Sequence, residues 1–364
     1  MQRGKSKHRP RDDEKLYGGT YPFIQTGDIK KANLYIREYE RTYSNYGLSQ
    51  SKLWSKGTLC ITIAANIAET AILGLNACFP DSVIGWISND KITNNIFIKY
   101  YFDFYKTQLK RLSVGGAQEN LNLDKLENVY FNIPTLSEQN DITDLLTKID
   151  ELIDTQSKII NSIKSQIRTI NNHIAFDSTS SELSIASLFH VKTSNKLVES
   201  NTGKFCIVDM GTIDANGNYI IGKYTDDETS LIPYGTLVMP KDDIGGGKII
   251  CKTMCINASN KYALSDHVFA LKLKNDNYNP VYFSALINSQ YNNHKLKKLV
   301  TGSAQLGINQ ENLNRYKLKF SDSLELQHKY GELIIRLNEK LIVEKRLLDL
   351  FSSQKKYLLK NMFV

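Results

Sequence analysis

Two long stretches of the chain, residues 138–174 and 326–362, carry an apolar stripe that returns every seven residues. Neither stretch contains proline, and at 1.5 Å per residue a helix over either would span roughly 50 Å. A stripe of this period held for about five repeats is typical of a coiled coil, in which two helices share a seam. Packing of each helix on its own domain is the alternative. The predicted seam positions are Ile142, Ile149, Gln156, Ile163 and Ile170, and then Tyr330, Leu337, Glu344, Phe351 and Leu358.

A second apolar position accompanies most repeats, and in several of them two neighbouring residues compete for it. The candidates are Leu145 or Leu146, Leu152 or Ile153, Ile159 or Ile160, and Ile167, and in the second stretch Leu333 or Ile334, Leu341, and Leu347 or Leu348. One polar residue interrupts each stripe near its middle, Gln156 in the first and Glu344 in the second. If the helices pack antiparallel about a pseudo-two-fold axis, we expect these two side chains to lie close together and to fix register at some cost in stability.

Short apolar runs broken by Gly and Asn precede each long stretch and predict strands. The runs lie at 21–26, 58–63, 82–87, 205–208, 236–239 and 267–273, and helices are expected over 95–109 and 280–299. The predicted fold class is therefore α+β. It comprises two tandem domains, related as pseudo-two-fold copies and separated by two long antiparallel coiled-coil helices.

Segments of the first half recur in the second half in the same order. The matches join 27–36 to 211–220, 57–59 to 235–237, 115–126 to 302–313, and 136–139 to 324–327. The offset between the two members is nearly the same in all four matches, so the chain is a tandem duplication. The predicted organisation is a first domain at 1–136, a central helix at 137–175, a second domain at 176–323 and a C-terminal helix at 324–364.

Composition narrows the class of partner and the compartment. At 364 residues and 41% hydrophobic, the chain is long enough for two domains with cores of their own. A net charge of +8 favours a polyanionic partner. No apolar run reaches the roughly 18 residues of a membrane helix. Residues 1–15 are charged and lack the apolar core of a signal peptide, so a cytoplasmic protein is expected.

Patterns that carry catalytic or metal chemistry are incomplete. Cys251 and Cys255 have no second Cys or His pair at zinc spacing, so buried free thiols are favoured over a metal site. The run Gly-Gly-Gly-Lys at 245–248 lacks the upstream glycine of a phosphate-binding loop. The run Asn-Pro-Val-Tyr at 279–282 resembles an amino-methyltransferase motif without its second proline. We expect no catalysis, no metal and no cofactor.

The junction between the first domain and its helix carries the most specific motif. Residues 116–122, Leu126 and residues 131–139 resemble the segment with which type I restriction–modification specificity subunits close a target-recognition domain and enter the conserved helix. Residues 3–10 and 19–29 are similar to the start of one class of those domains. The resemblance covers nearly the whole chain. The second junction departs from the pattern, with Ser-Asp-Ser at 321–323 where proline is expected. The apolar stretch 183–191 also has no match in residues 1–17, so the first domain is expected to be shorter at its start.

The resemblance implies a DNA-binding scaffold that is not itself an enzyme. In that family each recognition domain binds one half of a split double-stranded DNA site, and the helices set the unspecified gap. Two methyltransferase (modification) subunits attach, and motor-nuclease (restriction) subunits join in the full complex. Two rival interpretations are a structural coiled-coil adaptor with two protein-binding domains, and a stand-alone specificity-like decoy without methyltransferase partners. The adaptor does not predict a basic, Gly/Ser-rich loop at the same place in both copies.

Basic and polar side chains in both copies are the candidates for DNA contact. Lys and Arg neutralise phosphates, while Ser, Thr, Asn and Gln can read base edges. The candidates in the first copy are Lys5, Lys7, His8, Arg9, Arg11, Thr20, Thr26, Lys30, Gln50, Ser51, Asn66 and Gln118. Those in the second copy are Lys192, Ser194, Asn195, Lys196, Lys241, Lys248, Ser303 and Gln305. A frayed basic N-terminus is the alternative for residues 1–31, and a structural turn is the alternative for Gln118 and Gln305.

Overall fold

The computed structural model divides the chain into two compact units, Met1–Lys158 with Lys345–Val364, and Ile159–Glu344. Each unit contains one α+β domain and one part of each long helix. The residues described are 1–64, 66–113, 126, 132–176, 181–214, 219–220, 222–244, 246–303 and 305–363.

The domain of the first unit is built on a five-stranded sheet with the order β1-β7-β5-β6-β3, beside the strand pair β2–β4. β3 runs parallel to β6, and the other pairs are antiparallel. The strands are β1 (Gln2–Arg3), β2 (Tyr17–Phe23), β3 (Tyr35–Ile36), β4 (Arg41–Tyr43), β5 (Leu59–Thr62), β6 (Thr70–Leu73) and β7 (Val83–Trp86). The helices are a 3₁₀ turn (Glu14–Leu16), α1 (Thr26–Lys31), α2 (Asn45–Ser49), α3 (Asn95–Ser113) and the first part of the long helix α4 (Leu136–Phe176).

The domain of the second unit is built on two sheets, ordered β14-β12-β16-β9 and β11-β10-β15, with the pairs β13–β17 and β18–β8 beside them. The strands are β8 (Ser181–Ser184), β9 (Phe189–Lys192), β10 (Phe205–Val208), β11 (Tyr224–Thr225), β12 (Leu237–Pro240), β13 (Asp242–Asp243), β14 (Met254–Cys255), β15 (Tyr262–Leu264), β16 (Val268–Leu273), β17 (Leu306–Gly307) and β18 (Lys317–Phe320). The helices are α5 (Ile185–Leu188), a 3₁₀ turn (Met210–Thr212), α6 (Pro280–Asn288), α7 (Gln290–Lys297), α8 (Gln310–Arg315) and the first part of the long helix α9 (Leu324–Met362).

The two domains repeat one central ladder of strands. β5 pairs antiparallel with β7, and β12 pairs antiparallel with β16. At the outer edge β1 places Gln2 opposite Gly85, and β9 places Lys192 opposite Ala270. The predicted α+β class, the tandem duplication and the two long helices are therefore confirmed.

The long helices belong to the cores of both units. In the first unit Leu146 of α4 and Phe363, just after α9, lie in one apolar cluster with Phe97 of α3. In the second unit Ile174 of α4 and Ile334 of α9 lie in the main cluster of that domain. The beginning of α4 thus meets the end of α9, and the end of α4 meets the beginning of α9, so the two helices run antiparallel.

In four of the five apolar doublets one residue is more buried than its neighbour, whereas Leu347 and Leu348 are both half-buried. Leu146 is fully buried and Ile160 is 5% exposed, whereas Leu145 is 39% and Leu152 is 46% exposed. Of the other predicted seam positions, Ile149 and Ile163 are buried, as is Gln156. The remaining ones, Ile142, Ile170, Tyr330, Leu337, Glu344, Phe351 and Leu358, are half-buried. Gln156 and Glu344 fall in different units, and their expected contact stays a prediction.

A fully buried glutamine fixes the start of α4 to the first domain. Gln139 donates its amide N–H groups to the carbonyls of Ile92 and Pro134, at 3.0 and 2.9 Å. Its carbonyl accepts from the hydroxyl of Thr93 at 2.7 Å. An amide buried without such partners would cost its full desolvation energy, so this network ties the helix to the loop before α3.

The second copy repeats this clamp at Gln327, the residue that matches Gln139 in the duplication. Gln327 is also fully buried, donates to the carbonyl of Ser321 at 2.8 Å and accepts from the N–H of Asn279 at 3.1 Å. The next turn of α9 contains Gly331, where a Cβ would lie 2.5 Å from the Asn279 side chain. Glycine therefore lets the domain approach the helix closely, although glycine inside a helix lowers the stability of that helix.

Candidate nucleic-acid interface

The N-terminal basic segment, residues 3–16, lies against the surface of the first domain. Lys7 donates its backbone N–H to the carbonyl of Gln50 at 3.1 Å. The hydroxyl of Ser51 donates to the carbonyl of Lys5 at 2.8 Å. Four of the predicted DNA-contacting residues are thus brought together at the end of α2, and the segment is a fixed part of the domain rather than a frayed terminus.

Some cations of this segment are paired with a carboxylate, and others are not. The Arg11 guanidinium donates to both carboxylate oxygens of Asp81 at 2.9 Å, and Arg9 lies 3.7 Å from the same carboxylate. Lys5 and Lys7 are exposed and have no acidic partner among the described residues. These two lysines are therefore available to a phosphate, whereas a phosphate at Arg9 or Arg11 would have to compete with the Asp81 carboxylate.

His8 is held in a small polar cluster. One ring nitrogen lies 2.7 Å from Asp13 and the other lies 3.1 Å from the hydroxyl of Tyr46. The backbone N–H of Lys15 and the His8 ring, both bonded to Asp13, lower the pKa of that carboxyl. The cluster orients the imidazole within the segment but leaves neither ring nitrogen open.

The other predicted residues of the first domain lie outside this segment. Lys30 donates to the side-chain carbonyl of Asn66 at 3.2 Å, which joins the end of α1 to the loop after β5. Thr26 is half-buried at the start of α1, and Thr20 is exposed on β2. Gln118 lies outside the described residues.

In the second domain the basic run follows β9, as the N-terminal basic segment follows β1. Lys192, Asn195 and Lys196 are exposed, and the Ser194 hydroxyl lies 2.7 Å from that of Ser230. Since β1 and β9 occupy the same edge of the same ladder, the two basic runs leave equivalent points of the two domains.

The repeated glycine loop of the second domain forms a tight turn. Gly302 has a φ of +100°, a conformation that glycine adopts without strain. Ser303 and Gln305 are exposed beyond it. The loop returns to the backbone of Lys241, whose carbonyl accepts from the N–H of Ile308 at 2.9 Å. Lys241 and the loop are therefore neighbours, which supports the turn as one role of this motif.

A further group of cations lies around Lys248, which is exposed. Lys297 donates to the carbonyl of Gly247 at 2.6 Å. Burial, together with the charges of Lys297 and Arg168, lowers the pKa of Lys252. Arg168, Lys252 and Lys297 could not be predicted as members of this group, because they come from segments far apart in the chain and no local pattern joins them.

The described ranges contain neither a helix that could span a membrane nor a cluster of metal ligands. No helix there is long and apolar enough to cross a membrane. No group of three or more His, Cys, Asp or Glu side chains there could hold a metal ion. The five cysteines are free thiols, and burial raises the pKa of Cys251 and of Cys255 to about 12.

Comparison with known proteins gives a match in both halves of the chain. A model of the family described as type I restriction modification DNA specificity domain matches residues 3–165 and again 179–350. A putative type I restriction enzyme specificity subunit of Haemophilus influenzae is 34% identical over 141 residues, which are 37% of this chain and 34% of that protein. A second putative specificity subunit, from Methanocaldococcus jannaschii, is 26% identical over 155 residues, 43% of this chain and 35% of that protein. The alignments span about a third of each relative.

Solved structures share the fold over the full length. The type I restriction–modification S subunit from M. genitalium has a TM-score of 0.66 at 15% identity, with 100% of this chain and 93% of that chain covered. A chain from a structure on complex assembly and conformational transition of the type I system has a TM-score of 0.55 at 9% identity, with coverage of 100% and 94%.

Proposed function

This chain belongs to the type I restriction modification DNA specificity domain family, and from that premise we propose that it gives a type I complex its DNA sequence specificity. Each domain reads one half of a bipartite double-stranded site. The observation that carries this proposal is the repeated placement of a basic run at the same edge of the same ladder, after β1 and after β9. Two equivalent surfaces on one chain suit two half-sites.

In this proposal residues 1–136 and 176–323 are the two readers, and the helices at 137–175 and 324–364 fix the gap between half-sites. The chain itself catalyses nothing. Methylation belongs to two methyltransferase subunits and cleavage to motor-nuclease subunits, all acting in the cytoplasm. The fold shared with a chain of an assembled type I system supports these partners.

The test is selection of a randomised duplex library by the purified chain with its methyltransferase partner at moderate salt. We expect recovery of a two-part motif with a fixed gap. Retention of DNA without any motif, falling steeply with salt, would mean phosphate binding alone and would favour the adaptor.

Charge-removing variants assign each half-site to a domain. Lys5→Gln with Lys7→Gln should weaken binding about tenfold, with the loss confined to one half-site. Lys192→Gln with Lys196→Gln should do the same at the other. Lys329→Gln with Lys340→Gln, both exposed on α9, is the matched control and should leave both half-sites intact.

A further inference from the structure

The second domain contains an open cleft of about 470 Å³. Ala270 and Lys192 lie opposite each other on its sheet face, where β16 pairs with β9. Ile232 and Leu264 also line it. A space of this size lies in the range of about 300 to 1,000 Å³ that holds small-molecule ligands.

The backbone register identifies what occupies the same place in the first domain. Ile232 donates its N–H to the carbonyl of Tyr262 on β15 at 2.9 Å, and Trp54 donates its N–H to the carbonyl of Ala77 at 2.8 Å. Trp54 therefore takes the place of Ile232, with the same offset that joins the nearby Gly-Thr-Leu runs at 57–59 and 235–237. Phe79, two residues after Ala77, takes the place of Leu264.

In the first domain this place is filled. The rings of Trp54 and Phe79 stack with centroids 4.8 Å apart. A Cβ on Gly85 would lie 2.6 Å from the Trp54 ring, so glycine is what lets the indole fit. Lys52 lies 3.8 Å over the same ring and donates to the side chain of Gln2 at 2.7 Å. The aromatic pair closes the site and the lysine covers it.

The second domain has lost each part of this closure. Three changes accompany the loss of the aromatic pair: Gly85 to Ala270, Lys52 to Ser230, and Gln2 to Lys192. The opened space is lined by hydroxyl groups, including those of Ser194 and Ser230, and by cations, including Lys192 and Lys272. No acidic side chain of the described residues lines it. The side chain of Lys272 is 44% exposed and has a loose acidic neighbour, Asp276 at 4.0 Å.

We propose that this cleft binds a single nucleotide, with its base against Ile232, Leu264 and Ala270 and its phosphate at Lys192 and Lys272. An apolar wall suits a flat ring, while cations and hydroxyls without carboxylates suit a phosphate. The choice of a nucleotide rests on the proposed function. The same chemistry could come from an extrahelical nucleotide of the bound half-site or from a free nucleotide, and the first domain is closed to both.

Thymidine 5′-monophosphate, titrated calorimetrically into the full chain, tests the free source. We expect binding that weakens at least tenfold in Lys192→Gln with Lys272→Gln. It should be abolished by Ile232→Trp with Ala270→Gly, which supply both the indole of the first domain and the glycine that lets the indole fit. Val198→Trp adds the same ring at a position 82% exposed and outside the cleft, and it should bind as the parent does.

Duplexes carrying 2-aminopurine at each position of the second half-site in turn test the DNA source, with the chain bound beside its methyltransferase partner. A fluorescence rise at one position in the parent and in Val198→Trp, absent in Ile232→Trp with Ala270→Gly, supports an extrahelical nucleotide. With the duplex fully bound to every variant, Lys192→Gln with Lys272→Gln leaves the domain core unchanged and should give the same loss, which guards against misfolding of the tryptophan variant.

Absence of both thymidine monophosphate binding and the fluorescence rise, in a chain that still selects its half-site, would overturn the proposal while leaving the proposed function intact. If the chain selects no half-site at all, the proposed function fails. The monophosphate titration then still tests whether the cleft binds a nucleotide, because it requires no DNA.

Discussion

The seam between the long helices differs in chemistry between the two units. In the first unit Asp150, 2% exposed, pairs with Lys355 at 2.7 Å and accepts from the hydroxyl of Tyr100 at 2.8 Å. In the second unit the equivalent positions of the repeat are Asn338 and Ile167, neither of them charged. At these equivalent positions the first unit has a buried ion pair and the second unit has uncharged residues.

The two halves therefore share geometry more than chemistry. A buried ion pair adds little net stability over apolar residues, because desolvation offsets the attraction, but removing one partner is costly. If α4 and α9 shifted along each other in the first unit, Asp150 and Lys355 would be buried without their partners. The pair therefore penalises wrong alignments of the helices, whereas the second unit relies on apolar packing.

The largest expected effect comes from breaking this pair. Asp150→Ala should lower the free energy of unfolding by about 3 to 5 kcal/mol, because it leaves the mostly buried ammonium of Lys355 and the hydroxyl of Tyr100 without their acceptor. Asn338→Ala at the equivalent position should cost under about 1 kcal/mol. Urea denaturation followed by circular dichroism measures both. Equal losses would contradict the asymmetry.

The double variant Asp150→Asn with Lys355→Met is the matched control for that loss. It keeps similar side-chain volumes and an acceptor for Tyr100 while removing both charges. Its stability should lie within about 1 kcal/mol of the parent. A loss as large as that of Asp150→Ala would show that packing, rather than an unpaired charge, explains the first result.

A smaller and symmetric effect is expected at the two helix junctions. Gln139→Ala and Gln327→Ala should each cost about 1 to 3 kcal/mol, because each leaves buried carbonyls or donors unpaired. Thermal unfolding of the two variants measures the comparison. A large loss from one and none from the other would mean that only one junction is a clamp.

The smallest expected effect concerns the caps of the two helices at low pH. The hydroxyl and N–H of Thr135 hold the pKa of Glu138 below its ordinary value of 4.5. That carboxylate therefore stabilises the cap above about pH 4.5 and stops doing so as pH falls through its lowered pKa. The second helix has Leu326 at the matching position, whose N–H donates to the Ser323 hydroxyl at 3.3 Å.

Amide hydrogen exchange followed from pH 6 to pH 3 measures this difference. After correction for intrinsic rates, exchange at residues 135 and 138 should speed up on acidification, and exchange at residue 326 should not. Glu138→Gln keeps an acceptor without a titrating group and should remove the pH dependence. Acid-sensitive exchange in that variant would assign the effect to another residue.

The helices and the duplication could be predicted from the sequence because both signals are local or periodic. Ile149, Ile160 and Ile163 return at helical spacing and are buried as the stripe predicts. Adjacent apolar residues such as Leu145 and Leu146 could not be ranked, since their choice depends on which face meets the partner helix. Asp150 could not be recognised either, because its partner Lys355 lies in the other helix.

The candidate site was predictable to the same extent. The basic runs around Lys5 and Lys192 are contiguous in the chain, and the structure places both at equivalent strand edges. The cleft has no such signal, because its walls come from β9, β15, β16 and the segment 229–233. The sequence offset of the nearby Gly-Thr-Leu runs matches Trp54 to Ile232, but only the strand pairing shows that both residues occupy the same place in their domains.

The placement of Phe363 has a consequence for the order in which the protein is made. The ring of Phe363 packs 5.2 Å from that of Phe97, and the first unit combines Met1–Lys158 with Lys345–Val364. The second unit, Ile159–Glu344, is continuous and can close as soon as it has left the ribosome. The half that is translated first must therefore wait for the last residues to arrive, so the domain nearer the N-terminus is expected to finish folding second.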